Sequence, residues 1–250
     1  MPAVVTTAIV LHTFNYSESS RILRLATREA GVQSVLARGA RSSQRRFGSA
    51  VDLFAEGEVQ YEARTGRDLH TLARFDVMRS RVALGTSLPR FEGASALAEV
   101  MLRVAGEDDT PAHAFDALRD GLDAIAADDD ATVATIRAVW RLLGTLGFAP
   151  SLESCVRCDL ELPEELDVVF RADAGGVLCA NCAVGGPARS LPATARRQIR
   201  DWLDAGQPAA GPTLADLPTQ RAHRRLLREF VHAHLTDGRP LKAFDAWATA

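Results

Sequence analysis

Hydrophobic and polar side chains alternate from Val4 to Val77, and turn-forming residues separate the alternating runs. A period of two is typical of strands that bury one face, so we predict five β-strands in this part of the chain. They are expected near residues 6–13, 20–27, 32–38, 55–63 and 69–77. Five strands with the longest connection between the third and the fourth are typical of an OB-fold barrel, although the periodicity fits an SH3-like barrel nearly as well.

Beyond Ser80 the hydrophobic positions recur every three to four residues, which is the period of amphipathic helices. Helix starts are indicated by Ser87 and Thr110, and by three aspartates at 128–130 whose charges favour a helix N-terminus. Two more helices are expected at residues 193–205 and 219–236. Residues 151–186 contain two Cys-x-x-Cys pairs, a spacing typical of a metal site. The predicted fold class is therefore α+β multidomain, with an OB-fold domain at 1–80 and an all-α domain at 81–250, interrupted by a zinc-ribbon-like module at about 151–186.

Composition places the chain among ordinary globular proteins. It has 250 residues, 47% of them hydrophobic, which is enough to bury the cores of two or three domains. The first residues lack the basic and apolar pattern of a secretory signal, and no stretch reaches the roughly 18 apolar residues of a membrane helix. We therefore expect a cytoplasmic protein with reduced cysteines and no membrane partner.

Charge is unevenly distributed along the chain. The net charge is −3, yet residues 1–80 hold 11 arginines against 8 acidic residues, a net charge of +3. A basic N-terminal domain is compatible with nucleic-acid binding, which the net charge of the whole chain would otherwise argue against.

Four cysteines form two Cys-x-x-Cys pairs, Cys155 with Cys158 and Cys179 with Cys182, separated by twenty residues. Two such turns can place four thiolates around one Zn²⁺, and a shell without an open position is structural rather than catalytic. Residues 173–176 suit the turn of a short hairpin between the pairs. The alternatives are two disulfides, redox-active pairs or ordinary buried cysteines, but disulfides would need a secretory context and a redox motif would need no second pair.

The connection after the third predicted strand is cationic. Residues 30–51 contain no acidic side chain, and guanidinium groups among small polar residues suit phosphate contacts. The alternative is a solvated charged loop. The DNA-binding residues predicted here are Arg38, Arg41, Arg45, Arg46 and Phe47. Phe14, Tyr16 and Tyr61 are further stacking candidates, although aromatic residues of a small barrel more often belong to its core.

The last long predicted helix carries a basic face. At 100° per residue, four arginines share about one-third of the circumference of this helix. Such a face is either a solvated surface or a docking site for an anionic partner, which would be a nucleic-acid backbone or an acidic peptide. The four residues are Arg221, Arg224, Arg225 and Arg228.

Taken in order, several segments resemble the RecO family of bacterial DNA repair and recombination mediators. The resemblance extends over nearly the whole chain. It is carried by residues 7–11 followed by Tyr16-Ser17-Glu18, by Arg38-Gly39-Ala40-Arg41, by Leu146-Gly147-Phe148-Ala149-Pro150, and by Gly175-Gly176-Val177-Leu178-Cys179. The C-terminal Leu241-Lys242-Ala243-Phe244 departs from the Lys-Ser-Arg ending associated with the family, which puts any partner site there in doubt.

The resemblance implies an N-terminal OB-fold, a helical C-terminal domain with one structural zinc ion, and no enzymatic turnover. It also implies partners: single- and double-stranded DNA, RecR, and the acidic C-terminal tail of the single-stranded-DNA-binding protein. A protein of this kind would anneal complementary strands, help RecA load on coated DNA, and associate with the nucleoid. Since some members lack the four cysteines, zinc would act there as a stabiliser.

Other classes of function have weaker support in the sequence. Nucleophile elbows, Walker loops, dinucleotide-binding turns and zinc-protease helices are missing from it, and nothing marks a small-molecule substrate. A zinc-ribbon DNA-binding regulator would need a recognition helix. A non-catalytic protein-docking scaffold would leave the N-terminal charge without a role.

Overall fold

The N-terminal strands form a closed barrel. The structure is a computed structural model that describes residues 3–40, 52–64, 66–105, 112–185, 188–204, 214, 216–236 and 238–249. The barrel strands are β1 Ala3–Asn15, β2 Arg21–Thr27, β3 Val32–Ala37, β4 Glu56–Glu62 and β5 Leu69–Arg79. Their order around the barrel is β1–β2–β3–β5–β4, and the pairing of β1 with β4 completes the circle.

Within the described barrel, β3 and β5 pair in parallel, and the other neighbouring strands are antiparallel. This is the arrangement of an OB-fold, so the predicted fold is confirmed. Alternate residues of the strands fill the interior, as the period of two requires. The buried interior positions include Leu23, Leu25, Val35, Val59 and Leu72.

In the described part of the chain, six α-helices follow a short 3₁₀ turn at Val82–Gly85. Asp130 caps the third of them, accepting hydrogen bonds from the N–H groups of Thr132 and Val133 at 3.1 Å each. The sixth was not predicted from the sequence. Among the described helices, none is long and apolar enough to cross a bilayer. The six are α1 Leu88–Val104, α2 Ala112–Ala127, α3 Ala131–Thr145, α4 Ala193–Leu203, α5 Leu217–Leu235 and α6 Lys242–Thr249.

A three-stranded sheet carries the cysteines between α3 and α4. Its strands are β6 Val168–Arg171, β7 Gly176–Leu178 and β8 Arg189–Leu191, in the order β7–β6–β8. Arg196 of α4 is buried and donates hydrogen bonds to four backbone carbonyls, of which those of Leu152, Leu162 and Pro163 lie 2.5–2.8 Å away. This arginine ties the loop around the first cysteine pair to the helical region.

The outer side of the barrel and the helices share a hydrophobic cluster that is separate from the core inside the barrel. Ile9, Ala26, Val32 and Phe54 lie outside the barrel interior and belong to the same buried cluster as the apolar residues of α1, α2 and α3. The two parts therefore pack against each other over a continuous apolar contact.

Arg81 lies at the junction between the barrel and the helices, and its side chain is only 2% exposed. It donates hydrogen bonds to Glu56 Oε2 at 2.6 Å, to Asp123 Oδ1 at 2.7 Å, and to the carbonyl of Phe54 at 3.0 Å. One guanidinium group thus connects β4, α2 and the segment between β3 and β4.

Candidate metal centre and nucleic-acid interface

The four cysteines come together in space. The sulfur atoms of Cys155, Cys158, Cys179 and Cys182 all lie within 4.8 Å of one another, and the Sγ atoms of Cys158 and Cys179 are 3.8 Å apart. Zn–S bonds of about 2.3 Å in a tetrahedron place neighbouring sulfurs about 3.8 Å apart. Since a disulfide would need a separation of about 2.05 Å, the geometry fits a metal ion and not a covalent bridge.

Each cysteine pair lies in a tight backbone turn. In the first turn, Cys155 N–H donates to Leu160 O and Asp159 N–H to Cys155 O, both at 2.9 Å. Asp159 adopts a positive φ of 56°, a region that aspartate tolerates better than most residues. In the second turn, Cys182 N–H donates to Cys179 O at 3.0 Å. These turns aim both sulfurs of a pair to the same side.

Strand β7 joins the two turns. Val156 N–H donates to Val177 O, and Val177 N–H to Ser151 O, each at 3.0 Å. The backbone of Gly176 passes so close to Ser151 that a Cβ atom on this glycine would lie 2.3 Å from Ser151 O. Because β7 leads directly into Cys179, the close approach sets the distance between the two pairs.

We expect Gly176→Ala to destabilise the metal module by about 1–3 kcal/mol, because backbone atoms of Ser151 would have to move away from the new methyl group. The expected result is a lower affinity for Zn²⁺ in a chelator competition assay. Gly85→Ala is the matched control, since nothing lies within 4 Å of a Cβ added there. Equal zinc affinities for the two variants would contradict this reading of the contact.

The thiols differ in how readily they ionise. The backbone N–H of Cys179 lowers the pKa of Cys155 to about 6, whereas the neighbouring sulfurs of Cys179 and Cys158 raise the pKa of Cys182 to about 12. Four thiolates this close repel one another. A divalent cation removes the repulsion, so the donor set suits a bound metal better than free thiols.

A second candidate surface lies on the outside of the barrel. Phe14 of β1, Ile22 of β2 and Leu36 of β3 are cross-strand partners in one row. Leu23 and Val35 belong to the barrel core, so the alternation along each strand turns this row outward. Phe14 is 47% exposed. The row provides apolar surface on the β2–β3 face, where OB-folds bind oligonucleotides.

The row ends in a depression of about 550 Å³ between the β1–β2 loop, the end of β3 and the β4–β5 loop. The exposed ring of Tyr16 and the side chains of Arg38, Arg64 and Arg67 line it, and no acidic residue is among its described lining residues. Three guanidinium groups beside an exposed ring suit a polyanion with flat bases.

The structure places only some of the predicted DNA-binding residues. Arg38 lines the depression, whereas Tyr61 is buried in the barrel, where its ring stacks on His70 with centroids 5.3 Å apart. Arg64 and Arg67 were not predicted, although two arginines beside the Gly66 turn were a signal for them. Arg41, Arg45, Arg46 and Phe47 lie outside the described residues.

The basic face of α5 is partly engaged within the chain. Arg224 donates to Trp247 O at 2.7 Å and lies over its ring, with the guanidinium carbon 5.5 Å from the ring centroid. Arg228 Nε donates to Asp245 Oδ1 at 2.9 Å. Both partners belong to α6, the helix that the sequence did not predict. Arg221 and Arg225 are exposed, and neither forms an ion pair with another described residue.

Comparisons with known proteins agree along the chain. Residues 1–81 match the sequence profile of the family described as Recombination protein O N terminal, and residues 86–243 match Recombination protein O C terminal. The DNA repair protein RecO of Anaeromyxobacter sp. (strain K) is 35% identical over 245 residues, which is 97% of this chain and 95% of that protein. That of Rubrobacter xylanophilus is 32% identical over 230 residues, covering 91% of this chain and 88% of the relative.

Proposed function

Because the chain belongs to the RecO family of DNA repair proteins, we propose that it is a non-catalytic mediator of homologous recombination. In this proposal it binds single- and double-stranded DNA, anneals complementary strands, and acts with RecR to help RecA load on DNA coated by the single-stranded-DNA-binding protein. It would do so in the cytoplasm, at the nucleoid. The observation that carries the proposal is the depression on the barrel, where Tyr16 lies beside Arg38, Arg64 and Arg67.

The two parts of this surface would recognise different parts of a strand. The arginines contact phosphates, which gives affinity without sequence preference. Phe14 and Tyr16 offer ring faces to unpaired bases, which favours single strands or frayed ends. Arg41, Arg45, Arg46 and Phe47 of the cationic connection are proposed to extend the surface.

Annealing follows from charge neutralisation. Two complementary strands repel each other through their phosphates, and a cationic surface that holds both lowers this repulsion. The bases pair once the strands are side by side, so the protein needs no catalytic residue for this step.

The metal proposed for the four cysteines is one structural Zn²⁺. Four thiolates complete its tetrahedral shell, so no position remains for a water or a substrate. When bound, it holds the two turns together, while Arg196 and β7 connect the module to the rest of the chain.

The acidic tail of the single-stranded-DNA-binding protein is the partner proposed for the basic face of α5. Of the four arginines predicted for this face, Arg221 and Arg225 have the guanidinium groups that are exposed and available. Arg224 and Arg228 would support the face from their contacts with α6.

We expect the triple variant Arg38→Ala/Arg64→Ala/Arg67→Ala to lower the salt dependence of DNA binding. Each lost phosphate contact reduces the slope of log K against log salt by about 0.7 for a single strand, so the three together reduce it by about 2. The measurement is fluorescence anisotropy of a labelled single-stranded oligonucleotide across a salt series. Arg45→Ala/Arg46→Ala tests the cationic connection in the same way.

The matched control is Arg74→Ala, because Arg74 is an exposed arginine of the same domain that does not line the depression and is paired with Asp76 at 2.6 Å. It should leave the slope unchanged. If wild-type protein fails to bind the oligonucleotide at low salt, a protein-docking scaffold becomes the better account of the chain.

A further inference from the structure

A groove of about 630 Å³ lies between α4 and α5, with β8 along one wall. Its volume falls in the range of about 300–1,000 Å³ that is usual for ligand sites. Apolar side chains on the three elements supply most of the wall, among them Leu191, Ala195, Ala222 and Leu226. The groove is separate from the cysteine cluster and from the depression on the barrel.

The wall along β8 is the edge of the strand. Five consecutive residues, 188–192, line the groove. Successive side chains of a strand point to opposite faces, so a cavity against one face would be lined by alternate residues. Consecutive lining residues indicate that the groove follows the strand edge. In the described sheet β8 pairs only with β6, so its second edge has no partner strand there, and all three residues of β8 line the groove.

His223 of α5 lines this groove, and neither of its ring nitrogens has a hydrogen-bond partner among the described residues. The residue is only 3% exposed, and its ring meets the edge of Trp202 with centroids 5.2 Å apart. Burial lowers its pKa to about 4, so the ring is neutral near pH 7. A buried neutral imidazole without partners calls for a neutral donor or acceptor from a ligand, such as a peptide group.

Among the described residues around the groove, the charged side chains without an ion-pair partner are positive. Arg225 lines the groove and is exposed, and Arg221 lies one turn earlier on the same helix. Arg189 is already paired with Glu229. The N-termini of both helices are capped by carboxylates, since Asp167 accepts from Ala193 N–H and Asp216 from Thr219 N–H. Among the described residues, Arg225 in the groove and Arg221 beside it are therefore exposed cations without an ion-pair partner that could meet an acidic ligand.

We propose that an extended acidic peptide segment of a partner protein binds in this groove by adding a strand to the free edge of β8. An apolar side chain of the segment fills the space beside Leu191 and Leu226, a peptide group meets His223, and acidic side chains face Arg225 and Arg221. Backbone hydrogen bonds supply affinity in this mode, and pockets for alternate side chains supply specificity. The inference deepens the partner part of the proposed function, on which the acidic character of the segment rests.

The probe is a fluorescein-labelled peptide of sequence Asp-Asp-Val-Thr-Leu-Asp-Asp, acetylated and amidated, with its affinity measured by anisotropy on the full chain. A second probe carries N-methyl groups on alternate backbone nitrogens, which removes donors without altering charge or side chains. We expect methylation on the edge-facing set to weaken binding by about tenfold or more, since several hydrogen bonds are lost together. Methylation on the other set should weaken it less. Equal binding of the parent and both methylated peptides would overturn strand addition.

Three protein variants complete the test. Arg225→Gln should weaken peptide binding by about tenfold, whereas Arg197→Gln, an exposed arginine of α4 that does not line the groove, should leave it unchanged. His223→Leu should weaken binding while raising the melting temperature, because two buried unpaired nitrogens disappear. Misfolding cannot produce that combination. Equal effects of Arg225→Gln and Arg197→Gln would overturn the assignment.

Oligonucleotide binding by the same wild-type preparation separates this inference from the proposed function. If the wild-type protein binds DNA but does not bind the peptide, the groove assignment alone is wrong. Absence of DNA binding with peptide binding intact would instead count against the mediator role and leave the groove in place.

Discussion

Cys155→Ser is expected to lose the bound metal and to unfold the module between α3 and α4. Cys155 is fully buried at the centre of the cluster, and a serine hydroxyl does not replace a thiolate as a zinc ligand. Because the free energy of binding a structural zinc is also folding free energy, its loss removes the main constraint on a module of three short strands. Metal analysis should fall from about one zinc per chain to essentially none.

Hydrogen exchange should show which residues unfold in Cys155→Ser. Amides of residues 151–185 should lose protection, while the barrel, which has its own core, should keep it. Arg157→Ala is the matched control, since Arg157 is an exposed residue between two ligands whose side chain donates to Cys182 O at 3.2 Å, and the substitution leaves its backbone N–H in place. Stoichiometric zinc in Cys155→Ser would show that Cys155 is not a required ligand. Unchanged protection after chelation of the wild type would show that the module does not depend on a metal.

The same variant also tests how the module is attached. Four carbonyls around the buried side chain of Arg196 come from the loop that carries Cys155. If the module unfolds, this guanidinium group loses its acceptors inside the protein. Peptide binding along β8 should then fall together with zinc content, whereas DNA binding on the barrel should not.

The sequence predicted the parts of the fold that depend on local pattern. The alternation of hydrophobic and polar residues along β1 to β5 is a local property, so the five strands and the barrel could be predicted from the sequence. The cysteine cluster could be predicted for a related reason, since the spacing of two Cys-x-x-Cys turns is itself a local pattern. Helix α6 was missed because it has only eight residues, Lys242–Thr249, too few for a clear helical period.

Contacts between distant segments could not be predicted from the pattern. Tyr16, Arg38, Arg64 and Arg67 line one depression only because the barrel brings three connections to the same end. The engagement of Arg224 and Arg228 depends on α6, so a face that periodicity describes as uniform is divided in the structure. The roles of the arginines in the cationic connection and on α5 stay predictions until the binding measurements are made.

Arg81→Met is expected to destabilise the protein by about 3–5 kcal/mol, the range for breaking a buried ion pair by removing one partner. Methionine keeps the unbranched stem of arginine but not its guanidinium group, so the buried carboxylate of Glu56 loses its cation and the Phe54 carbonyl loses its donor. Urea unfolding at neutral pH measures the effect. Arg79→Met is the matched control, because Arg79 also contacts Asp123 but its side chain is 52% exposed, and exposed pairs contribute about 0–1 kcal/mol.

The double variant Arg81→Met/Glu56→Gln distinguishes two causes of the destabilisation: the loss of the hydrogen bonds of Arg81, and the buried carboxylate of Glu56 that is left without a cation. If most of the cost comes from the unpaired carboxylate, neutralising Glu56 should recover a large part of the stability that Arg81→Met loses. No recovery would mean that the hydrogen bonds to Phe54 and Asp123 carry the cost instead. If Arg81→Met were no more destabilising than Arg79→Met, the junction would depend on the shared apolar core alone. Since Arg81 contacts the barrel and α2 together, its loss should lower the stability of both parts in a single transition.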